Sequence, residues 1–592
     1  MSKITLGDDM DRPMVLIYIA LAMGTAAYFL FQYFGIVVGI IWFLLFLLFL
    51  KKLKDKTFAI ILFLFFILPI LNCQLYFNST LREDISSCRI AEDKKSYYIG
   101  DVSSKRIKVI SNDKLELGER YSFKGSFKEE KDYSKGIVGK YTVCEKAKLK
   151  ADFTAKIYKD KEEYYSNLVD SGLKEDEAGI ILAISTGDTN YLSYEKKEQL
   201  NVLGISHIIS VSGLHLTLVY GVLSKLVGYR IALLLSFLFT IFTGSKPSTI
   251  RAFIMILMMV LGTKIRKKYD SISSLATAAF VLILIRPYYI LDVGYMLSFL
   301  AVLGILIYNK KLNRRLYKLP SFISNSLSLS TSAMIFTLPY LIFIFNKVSF
   351  GGFISNLLLI PFYTGEVILG IIAFLMQKVP FAFGVVVKAI KILFLIITTI
   401  ENGLSQIIVS PLAFTYFQGL VILFLYLSYE LIKRGVSSLK FFPIILMVLV
   451  IKEPYHVFPE VSFIEGKKSD IVEVNYKGRD VLISGDKVKF KYYYEDHTKV
   501  DRIYDEFENC MDLTLDENYK LHFKEENKNL LTFFSYKNEK KCLFKEEETK
   551  YSNSDEKCDI INFESNDKKV GRYYGRVKII GPYVVKECIG GN

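Results

Sequence analysis

The order of apolar and polar positions divides the chain into membrane segments and polar segments. An apolar block from Met14 to Leu50 is long enough for two closely spaced helices, and a third helix is predicted from Phe58 to about Leu75, because about 20 apolar residues span a bilayer. From Glu177 to Ile451 a second apolar region, with short polar interruptions, predicts roughly nine further helices. Several are short or contain Gly or Pro, which is typical of re-entrant or broken helices.

Two polar segments accompany these helices. Between residues 78 and 155, short alternating stretches separated by Gly and Asn/Asp turns predict a small β domain of about five strands. After Pro454 a polar tail follows, with a hairpin pattern from Ile471 to Ser484. The predicted domains are therefore N-terminal transmembrane helices (1–77), a β domain (78–155), a membrane domain (156–452) and a small α/β or β-rich C-terminal domain (453–592).

Composition and charge fix the class and the orientation. The chain has 592 residues, 52% of them hydrophobic and 23% charged, which excludes a disordered chain or an ordinary cytosolic protein as a description of the whole. The net charge of +15 does not identify a partner, because membrane proteins also collect Lys and Arg in cytoplasmic loops. Basic loops at Lys51–Lys56, Lys264–Lys268 and Lys310–Arg315 are assigned to the cytoplasm, and the two polar domains to the outside. The predicted fold is a polytopic α-helical membrane protein with about 12 transmembrane or re-entrant helices.

The seven cysteines lie only in or beside the polar segments, with none between Cys144 and Cys510, which favours disulfides outside the cytoplasm. Cys88 and Cys144 lie near the two ends of the β domain, where a bridge would contribute about 4 kcal/mol by the chain-entropy estimate. Cys73 is an alternative partner. No CxxC motif or Cys/His cluster has zinc spacing, so neither a metal nor another cofactor is predicted.

The most informative stretch is Leu203–Val219, an apolar segment that contains two of the five histidines, His207 and His215. Ionisable groups at membrane depth cost several kcal/mol unless they face a partner or water, and they often mark functional paths. On a continuous helix the two histidines would lie within about 80° of each other, although Gly213 is expected to interrupt the helix. The alternative is that each histidine hydrogen-bonds to a neighbouring helix and only holds the bundle together.

This stretch resembles the signature of the ComEC competence channel family, in which a Ser-Gly-Leu-His run opens the membrane domain. Further segments resemble later motifs of the family in the same order: Pro247–Ala252, Asp292–Phe299, Ser330–Pro339 and Ser355–Pro361. Gly118–Gly125 is similar to a strand of the family's OB-fold domain, with Glu119 in place of an Asp. The resemblance therefore implies an OB-like barrel for the β domain.

The resemblance weakens in the tail, where the family commonly has a metallo-β-lactamase-like domain. Val461–Asp470 has lost the glycines of the opening motif, and no His-x-His-x-Asp-His cluster follows, so that His497 and His522 stand alone. Hydrolases of that type need clustered ligands to hold metal and activate water. We expect a degenerate or replaced domain without nuclease activity. No Walker A loop is present either, so energy is expected to come from a partner.

The resemblance implies translocation of single-stranded DNA across the bacterial cytoplasmic membrane during natural transformation. Besides DNA and membrane lipid, the implied partners are an exterior DNA receptor and a cytoplasmic ATP-driven DNA motor, and the oligomeric state stays open. The residues expected along the DNA path are His207, Ser212, Gly213, His215, Lys246 and Arg251. Structural roles are expected for Pro247, Asp292, Gly294, Ser298, Asn356 and Pro361. DNA contacts on the OB-like domain are expected from Phe123, Lys124, Phe127, Lys128 and Tyr133.

Other interpretations remain at this point. Arg251, the candidate for contacting phosphates, could instead snorkel towards lipid headgroups. Ser212 with His207 or His215 could form a membrane-embedded hydrolase, although no orienting carboxylate is near in sequence. A small-molecule transporter is a third possibility, but no inverted repeat is visible. The lysines of the OB-like domain could simply form a solvated face.

Overall fold

The computed structural model describes residues 12–433 and parts of 459–587. In the first range the residues left undescribed are 52, 54, 79–83, 95–96, 267–268, 346, 409–410 and 414–415. In the second range the described residues are 459–464, 471–477, 479–484, 502–505, 510–515, 518–526, 529–537, 539–542, 573–580 and 583–587. His497, Cys558 and Cys588 lie outside the described residues.

Helices make up most of the first 433 residues. They are α1 (Pro13–Phe34), α2 (Ile36–Lys51), α3 (Lys56–Phe77), α4 (Phe153–Asp170), α5 (Glu175–Thr186), α6 (Tyr194–Val202), α7 (Gly213–Val227), α8 (Tyr229–Phe242), α9 (Pro247–Lys264), α10 (Ser271–Ile285), α11 (Val293–Arg315), α12 (Ser321–Phe345), α13 (Gly352–Met376), α14 (Pro380–Ile407) and α15 (Tyr416–Lys433). Short 3₁₀ helices lie at Ser206–Ile208 and Pro287–Leu291.

Among these described helices, seven are long and apolar enough to cross a membrane, namely α1, α3, α9, α11, α12, α13 and α14. Four shorter apolar helices are α2, α7, α8 and α10. The polytopic helical character predicted from the sequence is therefore confirmed, whereas the number of crossings stays a prediction. Lipid-facing surfaces explain why many large apolar side chains are exposed, because hydrocarbon tails can cover them as well as a protein core can.

The predicted β domain is a closed barrel of five strands. They are β1 (Asp84–Asp93), β2 (Tyr98–Val102), β3 (Lys105–Ile110), β4 (Arg120–Lys128) and β5 (Ile137–Lys148). The strand order is β1-β2-β3-β5-β4, with β4 paired back to β1 and with β3 parallel to β5. Alternate side chains point inwards and form one apolar core, which is compatible with an OB-like domain.

The expected Cys88–Cys144 disulfide is wrong. Cys88 lies opposite Tyr121 of β4, which in turn pairs with Lys148, whereas Cys144 lies four residues before Lys148 on β5. Strand β4 lies between the two cysteines, which puts them about 10 Å apart across the sheet, and the four positions from Cys144 to Lys148 add about 13 Å along it. A disulfide needs Cα atoms within about 7 Å of each other. Cys88 is buried in the barrel core, which raises the pKa of its thiol to about 12, and Cys144 is exposed.

The chain divides into two compact units, Met1–Leu338 with Ser349–Pro411, and Pro339–Val348 with Leu412–Asn592. In the first unit the barrel is anchored to the helices at two places. The Tyr76 hydroxyl of α3 donates to the Gly136 carbonyl oxygen at 3.0 Å, and Val138 packs into a core formed with α1, α3 and α10. Gly136 has a φ of +69° and lies against the Tyr288 ring, where a Cβ atom would collide.

The barrel is also joined to α4 by a partly exposed charge cluster. Asp152 caps the N-terminus of α4 by accepting from the Ala155 amide, and its carboxylate pairs with Arg89 and Arg120 of the barrel. Burial by itself would raise the pKa of Asp152, but the Ala155 amide and the two guanidinium groups outweigh burial and lower it. Helix α4 is therefore tied to the barrel at its N-terminus, and it leads into a second core formed by α4, α5, α13 and α14.

The second unit contains α15, a two-strand ribbon and a β domain. The ribbon is β6 (Lys347–Val348) with β7 (Leu412–Ala413). The domain strands are β8 (Glu460–Ile464), β9 (Ile471–Tyr476), β10 (Arg479–Ser484), β11 (Arg502–Asp505), β12 (Cys510–Thr514), β13 (Tyr519–Glu526), β14 (Asn529–Tyr536), β15 (Glu539–Cys542), β16 (Tyr573–Ile580) and β17 (Tyr583–Glu587). They form sheets of order β11-β10-β9-β8-β16-β17 and β12-β13-β14-β15, which share one apolar core. The described part of this domain is therefore β-rich, without a described helix.

Candidate functional site

The start of α7 is the centre of the candidate site. Ser212 is the N-cap of α7, and its side-chain oxygen accepts from the Leu214 amide at 3.2 Å. In return the Ser212 amide donates to Nδ1 of His215 at 2.8 Å, so that His215 takes the place that Glu or Gln has in a capping box. Because Nδ1 accepts this bond, the proton of the neutral imidazole is on Nε2. The cap therefore fixes both the tautomer and the orientation of His215.

His207 and His215 do not share a continuous helix. His207 lies in the 3₁₀ helix Ser206–Ile208, and α7 begins only at Gly213. Both histidines nevertheless line one small cavity of about 30 Å³ together with Ser212 and, from α13, Ile360, Tyr363 and Thr364. A cavity needs about 10 to 15 Å³ of such space to hold one water molecule, so this cavity can hold water but not a nucleotide.

Arg251 lies on the other side of the α7 start. It projects from α9, is only 6% exposed, and its Nη1 donates to the Ser298 carbonyl oxygen of α11 at 2.7 Å. The guanidinium is in van der Waals contact with Gly213, where a Cβ atom would collide with Nη2, and it lies 5.9 Å from the Phe299 ring centre. Among the residues described, no carboxylate forms an ion pair with Arg251, and its Nε has no hydrogen-bond partner.

This arrangement concentrates positive charge. The N-terminus of a helix carries a partial positive charge, and here a buried guanidinium lies against the first residue of α7. The Arg251 guanidinium and the positive end of the α7 dipole repel each other, and an anion between or beside them offsets this repulsion. The geometry therefore favours an anion at the start of α7.

Lys246 faces away from this group. It is the N-cap of α9, and its Nζ donates to the Gly187 carbonyl oxygen at 2.8 Å, just beyond the end of α5. Lys161 of α4 donates to the neighbouring Thr186 carbonyl oxygen at 3.0 Å. Two lysines thus satisfy carbonyl groups at the C-terminus of α5, where the helix dipole favours cations. In this conformation Lys246 serves helix packing, and a contact with DNA would require it to leave Gly187.

The residues expected to have structural roles occupy helix ends and helix contacts. Pro247 is the first residue of α9, and Asp292 caps α11 by accepting from the Tyr295 amide at 2.7 Å, close to Gly294. Asn356 of α13 donates to the Ser330 hydroxyl of α12 at 3.1 Å. Pro361 lies inside α13, beside the cavity-lining residues. Ser298 accepts from Arg251, so that the second and third motifs meet directly.

The residues expected to bind DNA on the barrel fall into two groups. Phe123 is 1% exposed in the barrel core, and Tyr133 packs against Tyr28, Phe29, Tyr33 and Phe77 of α1 and α3. Neither ring is free to stack on a base, so these two expectations need correction. The physical reason is the alternation of β4, which turns Phe123 inwards, and the docking of the barrel on the helices.

Phe127, Lys124 and Lys128 remain at the barrel surface. Phe127 is half-buried, Lys128 is exposed, and exposed Lys124 pairs with Glu145 at 3.0 Å. These three residues of β4 are still candidates for contacts with a nucleic acid.

Sequence reasoning missed a polar cluster next to the cavity. The Tyr363 hydroxyl donates to Oε1 of Glu401 on α14 at 2.6 Å, and Oε2 of Glu401 pairs with Lys196 of α6 at 2.7 Å. The signal available in the sequence was Glu401, an isolated acidic residue in an apolar helix. Its partners were not identifiable, because Lys196 lies 205 positions away.

His522 of the C-terminal domain, which belongs to no metal-ligand motif in the sequence, has polar partners on the neighbouring strands. Its Nδ1 lies 2.6 Å from Asp512 and its Nε2 lies 3.3 Å from the Ser535 hydroxyl, on three adjacent strands. Ser535 is only 4% exposed, so a substrate has no direct access to the hydroxyl. Among the residues described in the whole chain, no group of three or more His, Cys, Asp or Glu side chains is placed to hold a metal ion.

Comparison with known proteins singles out the region that contains this site. A family model described as "Competence protein" matches residues 184–432. The chain is similar to ComE operon protein 3 of Bacillus subtilis (strain 168), with 29% identity over 216 residues, which is 35% of this chain and 27% of that relative. The match therefore spans only about a quarter of the relative's length. No solved structure matches the chain.

Proposed function

Because residues 184–432 belong to the competence protein family, we propose that this protein carries single-stranded DNA across the cytoplasmic membrane during natural transformation. The observation that supports the proposal most directly is the buried Arg251 at the start of α7. A DNA strand carries one negative charge per nucleotide, and each phosphate needs compensation where water is scarce. Arg251 and the α7 N-terminus offer a guanidinium and a helix dipole without a competing carboxylate in the described structure.

The conformation described is a closed one. The cavity between His207, His215 and α13 has room for water but not for a nucleotide, and the Arg251 side chain is in contact with Gly213 and Ser298. Passage of a strand requires α7 to separate from α13, which would join the cavity to the Arg251 side. His215, with its Nε2 proton fixed by the cap, would then donate a hydrogen bond to a phosphate oxygen.

The remaining parts of the chain fit this function by position. Seven membrane-length helices suit a multi-pass protein of the cytoplasmic membrane. The OB-like barrel would receive the strand outside the cell through Lys124, Phe127 and Lys128, which combine charge with an aromatic ring. An exterior receptor would deliver the DNA and a cytoplasmic ATP-driven motor would pull it.

A hydrolase based on Ser212 has less support. The Ser212 hydroxyl lies 3.4 Å from Nδ1 of His215, but Nδ1 already accepts the Ser212 amide proton and is not free to take a proton from the hydroxyl. No acidic partner of His215 is present in the described structure, so the third member of a triad is missing. Ser212 therefore has the geometry of a helix cap.

The test is uptake of labelled DNA into the cytoplasm of cells that lack the gene and carry a plasmid copy. Deletion should abolish uptake of nuclease-resistant label, and the wild-type copy should restore it. Arg251→Gln should lower uptake at least tenfold, since a charged hydrogen bond contributes about 1.5 to 3 kcal/mol, and Arg251→Lys should retain part of it. Arg230→Gln is the matched control, because Arg230 is exposed on α8. Unchanged uptake after deletion would refute the proposal.

A further inference from the structure

Glu366 is a buried carboxyl group of α13 that the proposed function does not use. It is fully buried, and neither carboxyl oxygen has a hydrogen-bond partner among the described residues. The contrast with Glu401 on the adjacent helix is clear, because Glu401 is equally buried but is held by Lys196 and Tyr363. Of these two buried carboxyl groups, only Glu366 lacks partners on both oxygens among the described residues.

Among the described residues, the elements around Glu366 supply no positive charge to it. From α5, Glu177 lies close enough for its negative charge to act on Glu366, and from α4 the Tyr164 hydroxyl donates to the Gly370 carbonyl oxygen. On α13 and α14, Tyr363 is bound to Glu401, and Lys196 of α6 neutralises that same carboxylate.

From α7 and the preceding 3₁₀ helix, the polar groups are His215 and His207 at the cavity. The lysines of neighbouring helices bind backbone carbonyl groups instead, Lys161 at Thr186 and Lys391 at Ser171.

A buried ionised carboxylate without a cation or a protein hydrogen-bond donor costs far more than the neutral acid, and buried carboxyl groups of this kind are neutral in practice. Protonated Glu366 can be tolerated at this position, whereas ionised Glu366 cannot stay there unless water enters. Tyr363 lies one turn before Glu366, on the same face of α13, and lines the cavity of the candidate site. Water that enters between α7 and α13 would therefore reach Glu366 next.

We infer that Glu366 is a proton-binding site that is occupied in the closed bundle and emptied when water enters between α7 and α13. In the opening step the carboxyl O–H bond breaks, the proton passes to water, and the carboxylate is hydrated where it was dry. Closing reverses the step and takes up one proton. The link to DNA passage rests on the proposed function, but the proton site itself does not.

The site can be tested on the full-length protein in lipid vesicles by infrared spectroscopy of the carboxyl C=O stretch. At neutral pH the wild type should show a band of a protonated carboxyl group in a dry environment, which Glu366→Gln should remove. Glu195→Gln, which changes an exposed residue of α6, should leave the band in place. Gln matches the protonated acid in shape and charge, and a single peak in size-exclusion chromatography checks its folding. If Glu366→Gln does not fold, Glu366→Asp provides the test, because it should shift the band.

A wild-type spectrum without this band, or a band that neither Glu366 variant changes, would overturn the inference. The coupling is tested separately by transformation. Glu366→Gln, which cannot release a proton, should lower DNA uptake at least tenfold, and uptake equal to that of wild type would overturn the coupling. If deletion of the gene left uptake unchanged while the band persisted, the proposed function would fail and the proton site would stand.

Discussion

The ion pair between Lys196 and Glu401 gives the most quantitative prediction. Glu401 is 1% exposed and Lys196 is 16% exposed, and their 2.7 Å contact joins α6 to α14. Lys196→Met keeps most of the side-chain volume but leaves Glu401 with the Tyr363 hydroxyl as its remaining donor. Removing one member of a buried pair costs about 3 to 5 kcal/mol, because the other charge is left uncompensated. Lys196 is partly exposed and water can replace it in part, so we expect the lower end, about 3 kcal/mol.

The assay is thermal unfolding of the purified protein in detergent, followed by the loss of the monodisperse peak. Since 1 kcal/mol shifts Tm by about 2 to 4 °C in domains of 150 to 250 residues and by less in larger ones, Lys196→Met should lower Tm by about 5 °C. The double variant with Glu401→Gln should recover most of the loss, because no charge remains buried. Lys197→Met is the matched control on the same helix. A single variant as stable as the control, or a double variant less stable than the single one, would refute the reasoning.

Three further predictions concern the candidate site and the barrel. Ser212→Ala should cost about 1 kcal/mol as a lost helix cap and leave DNA uptake within about threefold of wild type, whereas a serine nucleophile would lose all activity. Gly213→Ala should lower uptake about tenfold, because the new methyl group displaces the neighbouring guanidinium, while Gly221→Ala, with open space around it, should have no effect on labelled-DNA uptake. At pH 8 a maleimide should modify Cys144 and spare Cys88 until the protein is denatured, since burial raises the pKa of the Cys88 thiol to about 12, and peptide mass spectrometry would show a disulfide between them if this account were wrong.

The local order of apolar and polar residues predicted the main helical segments and the β domain within the first 433 residues. Apolar runs of membrane length became α1, α3 and the long helices from α9 to α14, and the alternating segment became a five-stranded barrel. Helix ends also followed the sequence, with Asp292 and Ser212 as caps and Pro247 at a first helical position. These features depend on neighbouring residues alone, which is why composition and spacing predict them.

Contacts between residues that are far apart in the sequence could not be predicted from the local pattern. On a continuous helix a spacing of eight residues would put His207 and His215 close to one face, but the Ser212 cap starts a new helix between them, and the two meet only at a cavity wall. The cysteines at the two ends of the barrel sequence suggested a disulfide, but strand register separates them. In both cases the distance in space depends on how elements turn and pair.

The sequence by itself indicated a polytopic helical protein with helices long enough to cross a membrane and a small five-stranded barrel, and its ordered motifs lie mainly in the region that the competence family model matches. Only the tertiary structure decided that Arg251 of α9 lies against Gly213 of α7 and binds Ser298 of α11, that Lys196 neutralises Glu401, and that Glu366 has no partner. Hydrophobic periodicity predicts which face of a helix is buried, but it does not predict which other helix covers that face. Buried polar groups are positioned by that second choice, so their partners emerge only when the helices are assembled.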